Sequence, residues 1–128
     1  MYPKIAEYLR DRTVLLVGFG REGQSSYRYI RKYFPEKPIA VADKNAVSVD
    51  DPFVTCICGE NYLDCIGDFD VVLKSPGISF KNVDAPTHTE ITCQVDLFLR
   101  FADCRKVGVT GSKGKTTTST LTYQMLKA

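Results

Sequence analysis

Three glycines within residues 18–23 form a Gly-x-Gly-x-x-Gly pattern that could bind a phosphate. Gly18 would allow a tight turn, Gly20 would let a phosphate approach the backbone, and Gly23 would let a helix pack closely on a strand. Free N–H groups at the start of that helix would face the anion. Asp43 ends the next predicted strand, about where a ribose or base contact is expected. We interpret the pattern as a nucleotide site; a glycine-bearing turn without a ligand is the alternative.

A second phosphate-binding pattern occupies residues 110–117, again between a predicted strand and a predicted helix. Backbone N–H groups there could ring a phosphate, Lys115 could reach the β- and γ-phosphates, and the Thr116 hydroxyl could bind magnesium. The loop is shorter than the general form G-x-x-x-x-G-K-[ST], because Val109 stands where the first glycine belongs. The pattern predicts ATP and Mg²⁺ binding, with Lys115 as the catalytic residue. The predicted ATP-binding residues are Gly111, Ser112, Lys113, Gly114, Lys115, Thr116 and Thr117.

The sequence Ser75-Pro76-Gly77-Ile78 follows a predicted buried strand and must form a turn, because proline and glycine do not continue a strand. By itself it indicates no chemistry. If its strand neighbours the strand before Gly18, the turn would form a wall of the same pocket.

Alternating strands and helices are predicted to carry these loops. Apolar runs predict strands at residues 14–17, 38–42, 53–57, 69–73, 90–93 and 106–110. Helical spacing predicts helices at residues 3–10, 21–34, 61–66, 94–102 and 114–127, with Val95, Phe98, Leu99 and Ala102 facing inward in the fourth. This alternation is typical of an α/β fold with a doubly wound, mostly parallel sheet, whose ligands bind at the carboxyl ends of the strands.

Composition restricts the classes of protein that remain. The 128 residues are 44% hydrophobic and 25% charged with a net charge of +2, which is typical of one globular domain without a nucleic-acid footprint. No apolar stretch is long enough to span a membrane and no secretory signal is visible, so we expect a cytoplasmic protein. The five cysteines are expected to be reduced thiols; a metal cluster of Cys56, Cys58, Cys65 and His88 is the alternative.

Taken together, the two glycine loops, the Ser75-Pro76-Gly77-Ile78 turn and the stretch Val95-Asp96-Leu97-Phe98 resemble the Mur ligases of peptidoglycan synthesis. The resemblance covers essentially all 128 residues and concerns the N-terminal part of that family, in particular its D-glutamate-adding branch. It implies a Rossmann-like domain over residues 1–104. Residues 105–128 would then be the first strand and P-loop helix of a truncated central ATP-binding domain.

The resemblance also implies that the first domain binds a UDP-sugar rather than NAD. The pyrophosphate would lie on residues 18–23, and a turn after the second strand would bind uracil. The UDP-sugar-binding residues implied are Gly18, Gly20, Arg21, Glu22, Gly23, Asp43, Lys44, Asn45, Ser75 and Gly77.

The family reaction implied is an ATP-dependent ligation in cell-wall biogenesis, a process tied to cell shape and cell division. ATP phosphorylates the carboxylate of UDP-N-acetylmuramoyl-L-alanine, and the amine of D-glutamate attacks the acyl phosphate. We expect these 128 residues alone to be inactive, because the remaining catalytic parts of the family lie elsewhere. Two alternatives are an NAD- or nucleotide-binding Rossmann module and another ligase of the Mur and folylpolyglutamate group.

Overall fold

The computed structural model describes residues 2–81, 83–103 and 105. Three α-helices are found there: α1 (Tyr2–Leu9), α2 (Arg21–Tyr33) and α3 (Gln94–Phe101), with a short 3₁₀ turn at Ile66–Asp68. The strands are β1 (Val14–Val17), β2 (Ile39–Asp43), β3 (Val54–Cys58), β4 (Val71–Lys74) and β5 (Glu90–Thr92). The predicted strand at residues 106–110 and the predicted helix at residues 114–127 lie outside the described residues.

The five strands form one sheet in the order β3-β2-β1-β4-β5, and every neighbouring pair is parallel. The chain therefore starts at the centre of the sheet, builds one side through β2 and β3, and then crosses to β4 and β5. The order reverses between β1 and β4, which is the position where sheets of this kind bind ligands. The α/β Rossmann-like fold predicted from the sequence is confirmed.

Core packing explains why β1 is an unbroken apolar run. All four of its side chains are buried, because a central parallel strand is covered on both faces. Leu16 packs on one face with Leu9 and Ile30, whereas Leu15 packs on the other face with Ile66. The sheet thus lies between two apolar layers.

The prediction for α3 was wrong about its inward face. Val95, Phe98 and Leu99 are 60%, 41% and 50% exposed, whereas Leu97 is buried. At 3.6 residues per turn Leu97 shares a face with Gln94 and not with Val95 or Leu99. Phe98 instead borders an open hollow of about 300 Å³ between α1, α2 and α3.

One further difference concerns a short segment. The helix predicted at residues 61–66 is replaced by turns that lead into Ile66–Asp68. Ala102 is buried as predicted, although it lies just beyond α3. Residues 61–66 lie between Gly59 and Gly67, so too few residues remain for a stable α-helix.

Four of the five cysteines lie among the described residues. Cys56, Cys58, Cys65 and Cys93 are free thiols. Over residues 2–81, 83–103 and 105, no group of three or more His, Cys, Asp or Glu side chains is arranged to hold a metal ion. Across the same residues, none of the helices has both the length and the apolar character that a membrane crossing requires.

Candidate phosphate-binding site

Parallel pairing brings three loops together at the carboxyl edge of the sheet. The N–H of Gly18, just after β1, donates to the carbonyl of Ala42 in β2 at 2.7 Å. The N–H of Ser75, just after β4, donates to the carbonyl of Val17 at 3.0 Å. The glycine loop (residues 18–23) therefore lies between the turn that follows β2 and the turn that follows β4.

Gly18 makes the tight turn that the sequence predicted. Its φ angle is +87°, in the region that favours glycine. A Cβ placed there would lie 2.8 Å from both the Ser75 Oγ and the Ile78 Cδ1. Ser75 Oγ also donates to the Gly18 carbonyl at 3.4 Å. The turn at residues 75–78 is thus the inner wall against which the glycine loop packs.

The other two glycines differ sharply in their surroundings. A Cβ at Gly23 would lie 2.1 Å from the carbonyl oxygen of Gly18, so Gly23 lets α2 approach the loop. A Cβ at Gly20 would meet nothing within 4 Å. Packing inside the chain therefore requires Gly23 to be glycine but places no such demand on Gly20. A missing side chain at an exposed loop position leaves room for a ligand to approach the backbone.

The first turn of α2 presents backbone donors beside Gly20. The N–H of Gln24 donates to the carbonyl of Gly20 at 2.9 Å and so closes the first helical hydrogen bond. Among the described residues, none accepts a hydrogen bond from the N–H groups of residues 21–23. Gly20 caps the helix without a side-chain hydrogen bond. These donors and the positive end of the helix dipole together favour an anion.

Asp43 organises the loop through its carboxylate. Oδ2 accepts from the N–H of Phe19 at 2.8 Å, and Oδ1 accepts from the N–H of Asn45 at 2.9 Å. The Asp43 carbonyl accepts from the N–H of Gly59 at 3.3 Å. One side chain therefore ties the loop after β1 to the turn after β2, and the carboxylate is already hydrogen-bonded before any ligand arrives.

The remaining predicted residues surround this loop with different exposures. The side chains of Arg21, Lys44 and Asn45 are exposed, and Glu22 is half-buried in the first turn of α2. Gly77 is exposed, and a Cβ there would also meet nothing within 4 Å. The loops thus bring the cations of Arg21 and Lys44 and the carboxylates of Glu22 and Asp43 to the same edge of the sheet. The charge of Glu22, in the first turn of α2, opposes an anion there.

Two polar residues at this edge were missed by the sequence analysis. Lys74 ends β4, and its Nζ donates to the Ser75 carbonyl at 3.3 Å. Gln94 begins α3, and its side chain reaches α2. Both line a small gap of about 10 Å³ beside Gly23. A polar residue at the end of an apolar strand could have indicated Lys74 as a site residue. No local pattern indicated Gln94.

The second predicted phosphate loop, residues 111–117, lies outside the described residues. The roles predicted for Lys115 and Thr116 therefore remain predictions.

The chain is similar to known proteins along almost its whole length. It is 28% identical over 139 residues to the UDP-N-acetylmuramoylalanine--D-glutamate ligase of Clostridium botulinum strain Hall, and 29% identical over 136 residues to that of Geobacillus kaustophilus. Each match covers 98% of this chain and 30% of the relative. No family model matches the chain. The resemblance to the Mur ligases is thus confirmed, since the chain is similar along nearly its whole length to the N-terminal part of UDP-N-acetylmuramoylalanine--D-glutamate ligases.

Proposed function

We propose that residues 1–104 form a domain that binds a UDP-sugar, with its pyrophosphate on the glycine loop. The observation that carries this proposal is Gly20, whose missing side chain leaves open space beside the N–H groups of residues 21–23, which have no acceptor among the described residues. An anion there would accept hydrogen bonds from several backbone donors at a helix N-terminus. The similarity to UDP-N-acetylmuramoylalanine--D-glutamate ligases supports a UDP-sugar as the source of that anion.

The flanking turns would hold the two ends of this ligand. The turn at residues 43–45 follows β2 and would bind the uracil, and Ser75 and Gly77 would face the sugar. Asp43 would act mainly by shaping the loop, because both of its carboxylate oxygens already accept backbone hydrogen bonds. Lys74 would add positive charge near the phosphates.

For the protein as a whole, we propose an ATP-dependent amide-bond-forming ligase of peptidoglycan synthesis. Its substrates would be UDP-N-acetylmuramoyl-L-alanine, ATP and D-glutamate, and the carboxylate would be activated as an acyl phosphate. Residues 105–128 would begin the ATP-binding domain, with Lys115 facing the transferred phosphate and Thr116 the Mg²⁺. Because the chain spans 30% of the length of its relatives, we expect these residues alone to bind substrate without completing the reaction.

Ligand-induced stabilisation tests the binding proposal. The 128-residue protein is titrated with UDP-N-acetylmuramoyl-L-alanine, UDP and NAD at matched salt, by calorimetry and by thermal unfolding. A ligand present at 100 times its Kd stabilises the folded state by about 2.7 kcal/mol. We expect both UDP compounds to raise the Tm and NAD to leave it unchanged. Stabilisation by NAD alone would instead indicate a dinucleotide-binding module.

A Gly20→Val variant provides the matched control. Its side chain would extend into open space, so the fold should tolerate it, whereas it would occupy the place proposed for the pyrophosphate. We expect a folded protein that no longer responds to UDP. Unchanged UDP binding by this variant would place the ligand elsewhere.

A further inference from the structure

Gln94 links the first residue of α3 to the beginning of α2. Its Nε2 donates to the Glu22 carbonyl at 3.0 Å and to the Ser26 Oγ at 2.8 Å. A carboxamide nitrogen carries two hydrogens, so both of them are used. Ser26 is 8% exposed, so one end of this bridge lies in the protein interior.

These hydrogen bonds hold the helical turn that carries the anion-binding donors. Glu22 and Ser26 lie one turn apart in α2, on the side that faces α3. At the same turn Gly23 contacts the Gly18 carbonyl, where even a Cβ would lie 2.1 Å away. The first turn of α2 is therefore fixed between the glycine loop and Gln94. The N–H groups of residues 21–23 belong to that turn, so the position of the turn determines theirs.

We infer that Gln94 is a positioning residue for phosphate binding: it acts through α2, by fixing where these N–H groups point. This inference rests on the proposed function of the glycine loop. Backbone donors bind an anion best when they are already held in the geometry of the complex. Loss of the Gln94 bridge should therefore weaken binding of the diphosphate and leave contacts to the nucleoside unchanged.

The test compares UDP with uridine as probes of the 128-residue protein. Gln94→Met keeps a side chain of similar length and removes both donated hydrogen bonds. We expect it to raise the Kd for UDP by about three- to tenfold, the effect of one or two hydrogen bonds, and to leave the Kd for uridine within about twofold. Ser26→Ala removes one acceptor and should raise the Kd for UDP by about twofold. The neighbouring Ser25→Ala is the matched control, since Ser25 is exposed and should show no change.

The outcomes separate this inference from the function on which it rests. If the wild-type protein binds no UDP, the proposed function fails and the inference fails with it. If the wild type binds UDP and Gln94→Met binds it equally well, only the inference is overturned. An equal loss for UDP and uridine would show a general structural role and would also overturn it. Should Gln94→Met not fold, Ser26→Ala decides, and the absence of a loss selective for UDP counts against the inference.

Discussion

The two edges of the sheet use carboxylates for different purposes. At the carboxyl edge, Asp43 accepts from two loop N–H groups, and the turn it shapes leaves further N–H groups without a described acceptor. At the amino edge, Asp70 and Thr13 satisfy each other: the Thr13 N–H donates to Asp70 Oδ2 at 3.0 Å, and the Asp70 N–H donates to Thr13 Oγ1 at 2.8 Å. These two residues of the amino edge thus pair with each other, whereas the carboxyl edge keeps N–H groups without a described acceptor.

A second hydrogen-bonded cluster at the amino edge adds to this contrast. Asp51 precedes β3, and its Oδ2 accepts from Tyr27 Oη at 2.7 Å and from Arg31 Nε at 2.6 Å. The hydrogen bonds from Arg31 and then Tyr27 lower the pKa of Asp51 to about 2. The hydrogen bonds at the amino edge therefore stabilise the fold, whereas those of Asp43 at the carboxyl edge also hold the loops that would surround a ligand.

The largest effect on stability is expected at Gly23, where the carboxyl edge is packed tightly. Gly23→Ala would place a Cβ 2.1 Å from the Gly18 carbonyl, and neither backbone can move without separating α2 from β1. We expect a loss of about 2–4 kcal/mol in the free energy of unfolding. Urea denaturation of the purified variant measures this loss.

Gly20→Ala is the control for that prediction, because a Cβ there meets nothing. Its free energy of unfolding should stay within about 1 kcal/mol of the wild type. Equal losses in the two variants would show that both glycines serve the fold, and the contrast between a packed and an open glycine would be wrong.

Asp43→Ala should have the next largest effect, because it removes the acceptor that joins the turn after β2 to the glycine loop and the acceptor that holds the turn itself. The N–H of Phe19 would lose its partner while half-buried, at a cost of about 1–3 kcal/mol. Urea denaturation gives the stability, and a UDP titration should show weaker binding as well. Asp84→Ala removes an exposed carboxylate and should leave both measurements unchanged. Normal UDP binding by Asp43→Ala would mean that the loop keeps its shape without this side chain.

The amino edge should respond to acid through Asp51. Its pKa in the folded protein, about 2, lies below the usual 3.8, so its stabilising effect is complete above about pH 4 and is lost as the pH falls toward 2. Asp51→Asn removes this titration, so its Tm should fall less steeply than that of the wild type between pH 4 and pH 2. Asp50→Asn, at the exposed neighbouring position, should follow the wild type. Parallel Tm curves for all three proteins would exclude the Arg31–Asp51 contact as a source of acid sensitivity.

The sequence predicted the carboxyl edge well because its signals are local. Apolar runs predicted β1 and its neighbours within one or two residues, and the spacing of Gly18, Gly20 and Gly23 predicted a strand, a turn and a helix. Parallel pairing then places the turns at one edge without further information. Each of these inferences needs only residues close together in the chain.

Features that depend on distant neighbours could not be predicted in this way. Whether Phe98 is buried depends on which helices pack against α3, and α1 and α2 leave a hollow there. Gln94 contacts Ser26 from 68 residues away, so no local pattern could connect them. A polar residue at the start of a helix, such as Gln94, is also common simply because helix ends are often exposed to solvent.

The smallest effect expected concerns Glu22, a carboxylate in the first turn of α2 whose charge opposes an anion at the carboxyl edge. Glu22→Gln removes a negative charge from the first turn of α2, so UDP should bind about two- to fourfold more tightly at low salt, and the gain should shrink as salt screens the charge. Glu36→Gln removes the same charge beyond the other end of α2, about 20 Å away at 1.5 Å per residue, and should leave UDP binding unchanged. Calorimetric titrations at two salt concentrations measure both variants. Weaker UDP binding by Glu22→Gln would show that this carboxylate contacts the ligand directly, so a carboxylate at the carboxyl edge would bind ligand as well as shape the loops.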